Sequence, residues 1–275
     1  MPTVSVVMPV YNASEFLREA IDSIVEQTFT NWELIIVEDC STDDSAAIVR
    51  QYTDPRIKAH FRAQNGGVVA AMNDGLRQAS GEFIAVMHAD DVSKRERLQL
   101  EVEWLQQHPE HAVVAGFIEK IDTRGNNCGI WNLDRRVIDS AHIRRHMLRE
   151  NCIAHSSVLM RGSVVKKYGY DSGQQKAGFA VEDYALWLEM LSDGYEFGKV
   201  PEVLLRYRIH SQSATSKYLR RNNPFFINYQ TKRLYLDQII SKRPLNRFDK
   251  KLQRSMYVDY LLARGKEIKA KMFRR

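Results

Sequence analysis

Three pairs of adjacent acids stand out for the chemistry they could do: Asp90-Asp91, Glu38-Asp39 and Glu182-Asp183. His88-Ala89-Asp90-Asp91 follows directly on the apolar run Phe83 to Met87, which sets two carboxylates at the carboxyl end of a strand. A hard divalent cation bridging a diphosphate needs oxygen ligands of this kind. The same pair would also serve to cap a helix beginning near Ser93. Glu38-Asp39 ends a second apolar run, where a carboxylate can accept a hydrogen bond from the imide N–H of a uracil ring or from a ribose hydroxyl. It could equally join Ser41 to Asp44 in capping the next helix. Glu182-Asp183 opens the segment Tyr184-Ala185-Leu186-Trp187-Leu188; acids are favoured there by the helix dipole, and an ionised carboxylate there is also a candidate general base.

The elements that would position these pairs alternate. Val4 to Met8 reads as a short buried strand, followed by the turn Pro9 to Asn12 and a helix carrying Phe16, Leu17, Ala20, Ile21, Ile24 and Val25, with Ser14 as its expected cap. Strands at Leu34 to Val37, Ile57 to Phe61 and Phe83 to Met87 are separated by helices beginning after Ser41-Thr42-Asp43-Asp44, at Gly66 to Ala79 and at Lys94 to Gln107. Continuous apolar strands between amphipathic helices predict a largely parallel sheet covered on both faces. Ligands bind such sheets beyond the carboxyl ends of the strands, so the loops at Pro9 to Asn12, Glu38 to Ser41, Gln64 to Gly67 and His88 to Val92 should share one edge. From His111 onward the pattern predicts strands at Ala112 to Ile118, Ser156 to Met160 and Val203 to Tyr207. Helices are expected near Asp139 to Leu148 and Val181 to Leu191, then at Pro224 to Ile240 and Phe248 to Leu262.

At 275 residues, 44% hydrophobic and 27% charged, the chain has the composition of a globular protein, and no apolar run approaches the roughly 20 residues that cross a bilayer. The opening Val4 to Met8 strand argues against a secretory signal, and Cys40, Cys128 and Cys152 lack metal-ligand spacing, so a reducing cytoplasm is expected. Charge divides unevenly. From Ala214 to Arg275, 17 Lys and Arg face 4 Asp and Glu, a net of +13, which leaves −7 for the rest of a chain totalling +6. An acidic body with a basic tail suits nucleic acid, an anionic membrane surface or an acidic partner, or a solvated helical face.

Taken in order, Val4-Ser5-Val6-Val7-Met8-Pro9-Val10-Tyr11-Asn12, Leu34 to Asp43, Asn65-Gly66-Gly67, Gly81 to Ala85, Ala89-Asp90-Asp91 and Glu182 to Trp187 resemble the family 2 glycosyltransferases. The resemblance covers most of residues 3–213. It implies an α/β GT-A fold, with a Rossmann-like, largely parallel central sheet flanked by helices, a domain over 1–213 and a basic helical extension over 214–275. Within the domain, 1–110 would be the nucleotide-sugar half and 111–213 the acceptor half.

The resemblance further implies an inverting enzyme that takes a sugar from a nucleotide donor, commonly a UDP-sugar, to a glycan or lipid-linked saccharide, with Mn²⁺ or Mg²⁺ as cofactor. Carried over by position, Pro9, Tyr11 and Asn12 would shape the nucleotide pocket, Asp39 would hold uracil, and Asn65 and Gly67 would belong to the loop near base and ribose. Asp90 and Asp91 would contact metal, diphosphate or ribose. Asp183 would be the base, with Glu182 beside it contacting a sugar. Arg208 and His210 would lie over the diphosphate, His210 within reach of the metal.

Departures carry their own expectations. His88 stands where a third Asp is common, and an imidazole there suits Mn²⁺ better than Mg²⁺. Cys40 replaces a usual Gly and Glu38 a common Asp, which predicts a wider turn, and Met72 stands where an Arg often precedes Asn73. No Gln-x-x-Arg-Trp follows Asp183, so single-sugar addition is expected. A nucleotidyltransferase would show a Gly-rich, basic loop after the first strand, and Pro9 to Ser14 has neither Gly nor Lys. The acidic body weighs against nucleic acid as a partner. The tail, with Tyr257, Tyr260, Leu261, Leu262 and Phe273, is expected to attach peripherally to the inner face of a cytoplasmic membrane, and the region around Trp131, His155 and Ser156 to select the acceptor.

Overall fold

The computed structural model describes residues 1–170, 182–213, 216 and 223–272, with side chains to residue 266. Phe273 and Val181, both named above, lie outside the described residues. The chain forms two compact units, the first of residues 1–143, 152–170 and 196–209, the second of residues 144–151, 171–195 and 210–275. This division by compactness falls elsewhere than the boundary at residue 213 drawn from charge and resemblance.

In the first unit, nine strands among the described residues form one sheet. Four strands, β1 (Val4–Val10), β2 (Trp32–Glu38), β3 (Ile57–Phe61) and β4 (Phe83–Val86), lie parallel in the order β3-β2-β1-β4. Beyond them, β8 (Val158–Arg161) runs antiparallel between β4 and β6 (His111–Ile121), and β9 (Glu196–Arg208) pairs parallel to β6. The two-residue β5 (Val92–Ser93) closes the edge against β9, and β7 (Asn127–Ile130) pairs with β6. Helices α1 (Leu17–Val25), α2 (Ser45–Val49), α3 (Gly67–Gln78), α4 (Arg97–Gln107), α5 (Ser140–His146) and α6 (Gly162–Tyr168) complete the unit up to Ile143 and again after Cys152.

Strands β1, β2 and β4 are buried almost throughout because both faces are covered, as their runs of apolar residues require. One buried cation locks the sheet to a helix. Arg97, fully buried at the start of α4, donates to the carbonyls of Val86 (3.0 Å) and Val158 (3.1 Å) and pairs with Glu101 one turn on.

Three local expectations are corrected. Ser14 does not cap α1, which starts at Leu17 with no side-chain cap. Instead the loop after β1 is tied by residues after β2: Ser41 Oγ accepts from Asn12 N (3.0 Å), Ser45 Oγ from Ala13 N (2.9 Å) and Asp43 from Ser14 N (3.0 Å). The turn at Cys40 is not widened. Cys40 adopts the left-handed φ of 59° that a Gly would take, and the longer Glu38 side chain accepts from Ser41 N at 2.7 Å. Strand β9 begins well before Val203, because the register of β6 against β9 skips two residues after Val200 and absorbs Pro201 in a bulge.

The second unit is helical, built on α7 (Glu182–Ser192), α8 (Pro224–Lys242) and α9 (Arg247–Met272). Much of the tail's charge is used internally. Buried Asp249 accepts from Ser192 Oγ (2.7 Å), Tyr235 OH (2.9 Å), Arg243 (2.7 Å) and Asn246 N (3.0 Å). Buried Lys232 donates to Asp259 (2.6 Å), Ser255 (3.0 Å) and the Arg149 carbonyl (2.8 Å). No helix among the described residues is long and apolar enough to cross a membrane.

Candidate active site

Because β3, β2, β1 and β4 run parallel side by side, the loops after them share one edge of the sheet. After β4 the chain presents His88, Asp90 and Asp91, one donor atom from each lying within 4.8 Å of the others. The pair does not cap a helix: β5 intervenes, Lys94 N bonds to Leu204 O at 2.9 Å, and α4 starts only at Arg97. Asp91 is 1% exposed and accepts from Arg208 N (2.9 Å) and Ser156 Oγ (2.5 Å). Burial, and then the neighbouring Asp90 charge, push the Asp91 carboxyl well above the usual carboxylate range. Burial lowers His88 likewise and His155 strongly, which favours the neutral form of both rings. Two carboxyls crowded beside a neutral imidazole make a set of oxygen and nitrogen donors that a divalent cation would relieve of its repulsion, and the three residues fit such an ion.

Arg208, expected over the diphosphate, has its guanidinium turned inward instead. It is 2% exposed, donates to the carbonyls of Asp90 (2.9 Å) and Asp122 (3.2 Å), pairs with Glu19 and stacks over Phe16. Its part is to fasten the acidic loop to the end of β9. His155 and Ser156, expected to select the acceptor, are buried beside the acidic cluster. His155 Nδ1 meets His88 Nε2 at 3.2 Å, and its Nε2 meets Tyr170 OH at 2.7 Å. Tyr170 is in turn held by Asn73, whose amide bonds to the Tyr170 backbone N–H and C=O at 2.8 Å each.

At the next loops along the edge, Asp39 is buried and its carboxylate is held by three donors. It accepts from Gly66 N (2.9 Å) and Gly67 N (2.7 Å) and pairs with Arg62 at 2.5 Å, while Asn65 donates to the Asp39 carbonyl at 3.0 Å. The Asn65-Gly66-Gly67 sequence follows from this arrangement. Gly67 has a φ of 78°, and a Cβ on Gly66 would overlap the Arg62 guanidinium. Tyr11 is half exposed and Pro9 partly buried, with Asn12 at a φ of 49° accepting from Thr42 N at 2.8 Å. Arg62 was not anticipated, since nothing in its local sequence sets it apart from a surface cation.

In the second unit, Glu182 and Asp183 open α7, where free backbone N–H groups favour acids. Asp183 accepts from Tyr184 N (2.7 Å) and from the side chain of Asn151 (2.8 Å). Burial pushes Asp183 up to about 6 against the pull of those two donors, and burial together with the Asp183 charge takes Glu182 to about 7. A carboxyl titrating near neutrality is suited to proton transfer. His210 also belongs to this unit; its carbonyl accepts from Ser213 N at 3.3 Å.

The family profile described as Glycosyl transferase family 2 matches residues 5–169, more than half of the chain. The chain belongs to that family. Among relatives of this family 2 glycosyltransferase, EpsE of Bacillus subtilis, which carries the name of a glycosyltransferase, is 32% identical over 216 residues, covering 77% of this chain and 75% of its own. TuaG of the same organism, named for teichuronic acid biosynthesis, is 25% identical over 238 residues and covers 85% and 90%. Solved structures bear out the GT-A fold. S. aureus TarS in complex with UDP-GlcNAc superposes with a TM-score of 0.71 at 20% identity, over 93% of this chain and 72% of that one. The Pyrobaculum calidifontis mannosyltransferase PcManGT, in complex with GDP-Man and Mn²⁺, gives 0.67 at 19%, over 93% and 69%.

Proposed function

We propose that this family 2 glycosyltransferase transfers a single sugar, with inversion, from a nucleoside diphosphate sugar, a UDP-sugar foremost, to a hydroxyl of a glycan or lipid-linked saccharide during assembly of a bacterial surface polysaccharide such as O-antigen or capsule. The observation that carries the reading is the cluster of His88, Asp90 and Asp91 at the carboxyl end of β4. The nucleotide sugars in the TarS and PcManGT structures, and the teichuronic acid name of TuaG, support donor and product class.

In the proposed reaction the acceptor oxygen bonds to the anomeric carbon as the bond from that carbon to the diphosphate oxygen breaks, through an oxocarbenium-like transition state. Asp183 takes the hydroxyl proton, and the bonding electrons leave with the nucleoside diphosphate. Glu182 contacts acceptor or donor sugar. Asp90 and Asp91, with His88, would hold Mn²⁺ or Mg²⁺, which when bound offsets the charge growing on the leaving diphosphate. Pro9, Tyr11, Asn12, Asp39, Asn65 and Gly67 border the nucleotide, Asp39 through whatever lone pairs Arg62 and α3 leave open.

The enzyme is placed at an anionic membrane by α9. Its outward side shows Tyr257 (58% exposed), Val258, Leu261 (68%) and Leu262, with exposed Arg247, Lys250, Lys251, Arg254, Arg264 and Lys266 around them. Two of its acids, Asp249 and Asp259, are buried, so neither opposes an anionic surface. The test of function is a screen of nucleotide sugars for Mn²⁺-dependent donor hydrolysis by the purified chain, followed by saccharide acceptors. Turnover of one donor is expected; release of pyrophosphate from nucleoside triphosphates instead would replace this reading with nucleotidyl transfer.

A further inference from the structure

The three-residue 3₁₀ turn His155–Ser157 does something the family resemblance does not supply. Two consecutive buried side chains of this turn reach two different members of the acidic cluster: His155 meets His88, and Ser156 donates to Asp91. The turn is itself closed by Ser157, whose N–H and hydroxyl both donate to the Ala154 carbonyl (3.0 and 2.9 Å). Behind it stands Tyr170, clamped at both backbone groups by Asn73. A cluster residue and its orienting partners are thus built into the core as a chain, Asn73 to Tyr170 to His155 to His88.

The protons along that chain are constrained. Two ring nitrogens 3.2 Å apart bond only with one proton between them, so His88 Nε2 and His155 Nδ1 share a single proton. When His88 carries it, His155 Nε2–H donates to the Tyr170 oxygen, and His88 Nδ1 keeps its lone pair. That Nδ1 is the atom that faces Asp91, 3.9 Å from its Oδ2. When His155 Nδ1 carries it, Tyr170 OH donates instead and a proton occupies His88 Nδ1. The tyrosine hydroxyl can accept from His155 Nε2–H, so the chain supports the state in which Nδ1 keeps its lone pair, and a cation on Nδ1 selects that state.

We infer that His155 and Tyr170 are positioning residues that fix His88 as a nitrogen ligand through Nδ1, making the site selective for Mn²⁺ and other imidazole-accepting cations over Mg²⁺. The inference rests on the reading that this cluster binds a divalent cation. Imidazole suits Mn²⁺ better than the oxygen-preferring Mg²⁺, and partners that orient a metal-bound histidine are commonly worth 10–100-fold in metal affinity.

The experiment is Mn²⁺ binding to the full chain, without nucleotide, followed by electron paramagnetic resonance, with pulsed detection of nitrogen coupled to the bound ion and Mg²⁺ as competitor. Wild type should show imidazole nitrogen coupling and require a large excess of Mg²⁺ to displace Mn²⁺. His88→Asp should lose the nitrogen signal and narrow the preference. Tyr170→Phe, which keeps the ring and its packing, should weaken Mn²⁺ binding about tenfold and alter the nitrogen coupling while Mg²⁺ affinity changes little. His155→Leu should do the same more strongly, with circular dichroism checking its fold. Bound Mn²⁺ without nitrogen coupling in wild type, or unaltered coupling in a folded Tyr170→Phe, overturns this inference and leaves the carboxylate metal site standing. Absence of any Mn²⁺ binding overturns the metal site itself.

Discussion

The side-chain amide of Asn151 donates to Oδ2 of Asp183 at 2.8 Å, at the start of α7. That bond favours the ionised carboxylate, while burial opposes it and brings Asp183 to about 6. If Asp183 is the base, transfer needs its charged form, so kcat/KM should rise with pH through about 6 and level off above. Asn151→Ala removes a donor to the charged form, raises the Asp183 pKa further and moves the acidic limb to higher pH. A pH–rate profile for both proteins checks this; an acidic limb in the same place for both would separate Asn151 from the reaction.

Asp183→Asn keeps the size and most of the hydrogen-bonding capacity of the side chain and removes its basicity. Transfer is expected to fall by at least about a hundredfold, in line with the contribution of general base catalysis, while nucleotide binding by calorimetry stays near wild type. Transfer at the wild-type rate would assign the proton to another group.

Arg97→Met tests the lock between α4 and the sheet. The change leaves Glu101 buried without its partner and the Val86 and Val158 carbonyls without their donor. A loss of about 3–5 kcal/mol in urea unfolding is expected, much of it recovered by Arg97→Met with Glu101→Met, because two apolar side chains leave no charge stranded. Equal losses in the single and double variants would mean that the two carbonyls, and not the ion pair, set the cost.

The outward side of α9 is tested with vesicles. Sedimentation of wild type with vesicles rich in anionic lipid should weaken as salt rises, and Lys250→Glu with Lys251→Glu should reduce it strongly, since each basic residue near such a surface contributes about 1 kcal/mol. Leu261→Ser should lower binding even at low salt by removing apolar insertion. Binding indifferent to all three changes would take the membrane away from this helix.

The parallel half of the sheet was legible because β1, β2 and β4 are largely apolar runs separated by helices with one apolar face; β3, with Lys58 and His60, was found from its place in that alternation. The later half was less so. Pro201 hid the first part of β9, two-residue β5 is too short to carry a period, and α6 was not anticipated because two turns show no stripe. The location of Asp90 and Asp91 at the end of β4 followed from the strand itself. The groups that orient them did not: His155 lies 67 residues from His88, and Ser156 lies 65 from Asp91, so no local spacing links them. Arg208 read as a ligand contact because charge is visible in sequence and burial is not.

The hydrogen bond between His88 and His155 also ties two distant positions into one heritable unit. An aspartate at position 88 has no use for a ring nitrogen at 155, and a histidine at 88 without one loses its orientation. On the inferred role of His88, lineages should therefore exchange the two residues together.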